Sequence, residues 1–182
     1  MKLRSLLALA LITFTVGAAH AEKTVDVGGA AMYPSKDIID NAVNSKDHTT
    51  LVAAVKAAGL VDTLKGAGPF TVFAPTNEAF AKLPAGTVDT LLKPENKATL
   101  TKILTYHVVS GKMDSKALAA AIKKGKGTAT LKTVAGGSLT AKMDGKALVL
   151  TDEKGSTSKV TIADVYQKNG VIHVVDTVVQ PN

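Results

Sequence analysis

The hydrophobic period of this chain changes from that of helices to that of strands after Gly125, and that change limits the folds open to it. Before it, Ile38, Ile39, Ala42 and Val43, then Leu51, Val52, Val55 and Ala58, then Leu100, Ile103 and Leu104, and last Leu118, Ala119 and Ile122 recur at the spacing of one helix face. After it, Ala129 and Leu131 alternate with Thr128, Thr130 and Lys132, and Leu139, Ala141 and Met143 alternate with Thr140 and Lys142, the period of a half-buried strand. Asp144-Gly145 marks a hairpin turn, and Val160 with Ile162 and then Val171 to Val175 supply two further strands. Helices first and strands later argue for an α+β domain around a mainly antiparallel sheet, because alternating strand-helix-strand units would interleave the two periods.

One strand interrupts the helical half. Phe70 to Ala74 is a β-branched and aromatic run between Gly68-Pro69 and Pro75, with Phe70, Val72 and Ala74 on one face and Thr71 and Phe73 on the other. The punctuation around it is specific: Ser35 is read as the first helix cap, Gly59 as a helix stop, Leu60 to Leu64 as a short turn, Thr76 or Asn77 as the cap of the stretch after Pro75, and Asp114 or Ser115 as the last cap. Glu22 to Pro34 holds Gly28, Gly29 and Pro34 without a sustained period, so residues 22–34 are read as an N-terminal arm, its docking left open, and residues 35–182 as the domain.

The first 21 residues read as a cleavable export signal. Met1-Lys2-Leu3-Arg4 is a basic start, Leu6 to Val16 an apolar stretch, and Ala19-His20-Ala21 a small-x-small cleavage site. The apolar stretch is shorter than the roughly 20 residues a membrane-spanning helix needs. Export to the periplasm or the medium, with no transmembrane segment, is therefore expected, as is a monomer. The chain has no cysteine, which excludes disulfides, thiolate metal sites and a lipidated cysteine anchor.

Charge and chemistry narrow the function. Arg4 is the only arginine, so behind the signal no guanidinium is left to fork onto a phosphate or a guanine edge, which argues against nucleic acid as a partner. Lys123-Lys124-Gly125-Lys126 is read as a solvated helix end. Of the three histidines behind the signal, His48, His107 and His173, no two stand in the spacing of a zinc protease. There is no G-x-S-x-G elbow and no P-loop, and Gly66-x-Gly68 reads as a turn. These absences point to a non-catalytic protein without metal or cofactor. An apolar-ligand carrier and an envelope-polymer hydrolase built from distant carboxylates are the alternatives.

Two segments carry more information than ordinary strand and turn. Gly68-Pro69-Phe70-Thr71-Val72-Phe73-Ala74-Pro75-Thr76-Asn77-Glu78-Ala79-Phe80 resembles the first box of the fasciclin-like domain family, and Asn169-Gly170-Val171-Ile172-His173-Val174-Val175-Asp176 resembles its closing box. Leu104 to Val109 is similar to the family's tyrosine-histidine segment. The residues of the boxes expected to hold structure are Thr71, Phe73, Pro75, Thr76, Asn77, Gly170, Ile172 and His173, with Asn169-Gly170 read as a turn of positive φ. His107 and His173 are read as buried, hydrogen-bonded packing residues.

The resemblance implies a fasciclin-like wedge of mainly antiparallel sheet with N-terminal helices packed on it. It also implies adhesion to a cell-surface or matrix protein or glycan. In animal members an aspartate-isoleucine pair ahead of the closing box and the tyrosine-histidine segment are implicated in integrin binding. The matching binding positions here are Asp164-Val165, with valine for isoleucine, and Tyr106-His107.

Overall fold

The structure, a computed structural model, describes residues 23–182. The export signal read at residues 1–21 lies outside them. The first ordered element precedes the expected start at Ser35: strands β1 (Val25–Val27) and β2 (Ala30–Met32) form a hairpin across Gly28 and Gly29, both at positive φ. Each strand has three residues, too few to display a period, but Val27 and Met32 are buried in the domain's core. Asn41 fastens the hairpin by exchanging hydrogen bonds with both backbone groups of Tyr33.

Helices α1 (Ile38–Ala42), α2 (Thr49–Ala58) and α3 (Val61–Lys65) follow. Asp37 caps α1, where Ser35 was expected, because its carboxylate accepts from the Asp40 N–H. Gly59 ends α2 in the left-handed conformation, as its position suggested. Leu60 to Leu64, read as a turn, belongs mostly to α3, which buries only Leu64 and so displays no apolar period.

Strand β3 (Phe70–Pro75) leads to α4 (Asn77–Ala81), α5 (Thr87–Leu91), α6 (Lys97–Tyr106) and β4 (Val108–Ser110). Helix α7 (Ser115–Lys124), capped by Asp114, precedes β5 (Thr128–Lys132), β6 (Ser138–Asp144), β7 (Ala147–Thr151), β8 (Thr157–Gln167) and β9 (Gly170–Val175). The β6–β7 turn is centred on Gly145-Lys146, one residue later than read. Asp144 pairs with Ala147, and Gly145 alone takes positive φ, the pattern of a II′ turn. Met143 is 41% exposed, not on a buried face, because β6 runs past the end of the core.

The fold is α+β, and seven strands form one sheet in the order β4-β3-β9-β8-β7-β6-β5. Every pairing in it is antiparallel except the second from the β4 edge, β3 with β9. The edge strands β4 and β5 curl toward each other, with a bridge between Val109 and Thr133. The alternation read in β3 divides two cores. Val72 and Ala74 join Ile172 and Val174 beneath α1, α2, α4 and α6. Phe73 and Val175 face the other way, onto α7 and the inner faces of β5, β6 and β7.

Candidate functional site

The box residues concentrate where β3 and β9 run side by side. Phe73 lies opposite His173 and their rings stack at 5.6 Å between centroids. The Thr71 hydroxyl donates to the Gly111 carbonyl at 2.6 Å and accepts from the Met113 N–H at 2.8 Å, which holds the segment leading into α7. Thr76 caps α4 through the Ala79 N–H. Asn77 does something else: its carbonyl oxygen accepts from the Thr50 N–H at 3.0 Å, capping α2, which has no cap of its own. That role spans 27 residues of chain, and no local pattern reports it.

Gly170 does not take positive φ. It is glycine because a Cβ there would stand 2.1 Å from the Phe70 carbonyl oxygen. Gly68 faces the same crowding from the other strand, where a Cβ would meet the Asn169 carbonyl oxygen at 2.2 Å. Asn169 is a hub and not a turn residue of positive φ. Its side chain donates to the carbonyls of Leu64 and Gly66 and accepts from the Ile38 N–H.

Three of the four positions matched to adhesion motifs, Tyr106, His107 and Val165, are built into the interior. The Tyr106 side chain is buried; its hydroxyl donates to the Ser138 carbonyl at 2.7 Å and accepts from the Glu153 N–H at 3.2 Å, and burial raises its pKa. His107 Nδ1–H donates to the Ile103 carbonyl, and Nε2 accepts from the Val179 N–H at 3.2 Å. That arrangement requires a neutral ring, and burial pushes the His107 pKa down to about 4. Val165 is fully buried.

Asp164 is half-buried and stands in an irregular stretch of β8, where the register with β9 shifts between Ile162 and Val165. Its φ is +59°, a conformation that aspartate tolerates better than most side chains. The bulge aims the carboxylate at the start of α7, where it accepts from both the N–H and the hydroxyl of Ser115. The Asp164 N–H donates to His173 Nδ1, and His173 Nε2–H donates to the Met113 carbonyl at 2.8 Å. Burial depresses the His173 pKa as well. Serine, aspartate and histidine thus meet here, but the serine donates to the carboxylate and both imidazole nitrogens are engaged by backbone. That connectivity leaves no base for a serine nucleophile.

Beside this bulge the surface carries groups that the sequence reading passed over. Tyr166 is 36% exposed, its ring lies 4.8 Å below the Lys112 ammonium, and its hydroxyl donates to the Asp114 carboxylate at 3.2 Å. The only sequence signal for Tyr166 was its place next to Asp164-Val165. Among the described residues no helix is long and apolar enough to cross a membrane, and no three acidic or histidine side chains cluster as metal ligands would.

A helix-covered, mainly antiparallel sheet with one parallel pair, knitted by histidine, tyrosine and aspartate ties, defines the class of wedge-shaped α+β domains that the two boxes resemble. The comparisons agree. The fasciclin domain model matches residues 46–181. The chain is 50% identical over 161 residues to protein sll1483 of Synechocystis sp., covering 88% of this chain and 82% of that one. It is 37% identical to the immunogenic protein MPB70 of Mycobacterium bovis, covering 77% and 66%, and 36% identical to the transforming growth factor-beta-induced protein ig-h3 of Sus scrofa, of which it spans only 20%. A FAS1 domain pair from the insect cell adhesion molecule fasciclin I superposes with a TM-score of 0.70 at 19% identity, over 80% of this chain and 51% of that one. The chain belongs to the fasciclin domain family.

Proposed function

We propose that this protein is an exported, non-catalytic interaction module that binds a cell-surface or extracellular protein or glycan, and that its contact face is the surface beside the Asp164 bulge. The observation that carries the reading is the contrast between Tyr106, His107 and Val165, whose side chains are enclosed, and Tyr166, which β8 presents to solvent under Lys112. An exposed tyrosine offers a large rigid area with a polar tip, the kind of group enriched at the centres of interfaces. Asp164 and Ser115 fix the strand and helix on which Tyr166 and Asp114 stand, so the motif acts by positioning the face. Family membership supports an interaction role, and the relative named cell surface glycolipoprotein MPB83, from Mycobacterium bovis and 32% identical, supports an envelope setting. The basic start and Ala19-His20-Ala21 support export. A pull-down from envelope and host-surface extracts tests the reading: recovery of a stoichiometric macromolecular partner is expected, and its consistent absence, with the protein folded, would count against it.

A further inference from the structure

The helix-covered core is incompletely filled. A cavity of about 60 Å³ lies among α2, α6, β3 and β9, bordered by hydrocarbon from Leu51, Val55, Val72 and Ile172. On a measure by which one water needs about 10–15 Å³, this is room for roughly four to six water-sized groups. Val52 and Val134, both partly exposed, also border it and mark its way to the surface.

Most polar groups at its wall are engaged: the Thr105 hydroxyl donates to the Thr101 carbonyl, and both nitrogens of His107 are paired. His48 is the exception. Its ring borders the cavity at 1% exposure, Nδ1 pairs with the Ser45 hydroxyl at 2.9 Å, and Nε2 is the one buried side-chain polar atom, among the described residues, without a hydrogen-bond partner. The Ala74 carbonyl also faces the ring, but it is too poorly placed to satisfy Nε2. A buried polar atom left unpaired beside an apolar cavity is what a ligand's polar end would satisfy.

We propose that this cavity binds a small, uncharged, mainly hydrocarbon molecule bearing one oxygen acceptor, with His48 Nε2–H donating to that oxygen. Burial holds His48 neutral, and with the Ser45 hydroxyl donating to Nδ1 the ring proton sits on Nε2, so the matching group is an acceptor such as a carbonyl. The ligand is uncharged because the wall is almost entirely hydrocarbon, and Lys56, the one charged residue on it, is exposed to solvent. The role is independent of the contact face beside Asp164, so either reading can fail alone.

The probes are 2-butanone and its isostere 2-methyl-1-butene, titrated into the purified protein by amide and imidazole NMR. Saturable shifts at Val55 and Ile172 with both are expected, with the ketone binding at least fivefold tighter and displacing the His48 Nε2 signal. His48→Leu should abolish the preference, and Val52→Trp, which obstructs the mouth, should weaken both probes more than fivefold. No saturable shift with either probe would overturn the proposal. So would a ketone preference that persists in a folded His48→Leu protein, or, should that variant not fold, His48 ring signals in the parent that ignore the ketone.

Discussion

The Asp164 carboxylate grips Ser115 twice, accepting from its backbone N–H at 2.6 Å and from its hydroxyl, and so joins the bulge of β8 to the first turn of α7. Two costs meet in that contact, a left-handed aspartate and a half-buried carboxylate, and the hydrogen bonds offset both. Replacing Asp164 separates them. Asp164→Gly keeps the backbone freedom and loses the carboxylate, for a cost of about 2 kcal/mol, whereas Asp164→Ala adds the left-handed penalty and should cost roughly 3 kcal/mol. Chemical denaturation measures both; an alanine variant no worse than glycine would show that φ at this position is not strained.

His107 makes stability depend on pH. In the unfolded chain it takes up a proton near its ordinary 6.5, but in the fold only near 4, so the native state has its full advantage above pH 6.5 and loses it as pH falls from 6.5 toward 4. Between pH 7 and pH 5 the loss from this residue is about 2 kcal/mol. The depressed values of His48 and His173 act in the same direction. His107→Gln should flatten the profile in that window, read as the melting temperature at fixed ionic strength.

Gly170→Ala drives a methyl group against the Phe70 carbonyl where β3 and β9 are closest. Because backbone, not a yielding side chain, stands in the way, the variant should lose 3 kcal/mol or more, at the upper end of the about 1–3 kcal/mol typical of overpacking. Gly145→Ala, whose Cβ would meet nothing within 4 Å, is the control; its positive φ alone should cost about 1 kcal/mol. Equal melting temperatures for the two would contradict the close-approach explanation.

Tyr106→Phe removes a hydroxyl that serves both the Ser138 carbonyl and the Glu153 N–H. Leaving those groups unpaired should cost about 1–3 kcal/mol. Since the hydroxyl lies inside, any effect on partner binding should follow the loss of stability, which binding measured well below the melting temperature can separate.

These residues also show how far the sequence could be read. The period switch at Gly125 and the face alternation of β3 and β9 are local, and both survive in the fold. The meaning of Asn77, Gly170 and Asp164 is not local: it depends on Thr50, Phe70 and Ser115, which the chain brings to them from 27, 100 and 49 residues away. The β1–β2 hairpin escaped notice because three-residue strands carry no period, and His48 because an unpaired nitrogen is visible only when its surroundings are known.

The central claim is that the motif residues inside position a contact face outside, and binding to isolated envelopes or to a purified partner by the Tyr166→Ala, Lys112→Glu double variant tests it most directly. At least a tenfold loss of affinity is expected, with a melting temperature within about two degrees of the parent, since exposed positions contribute little to stability. Undiminished binding by a folded double variant would contradict the claim.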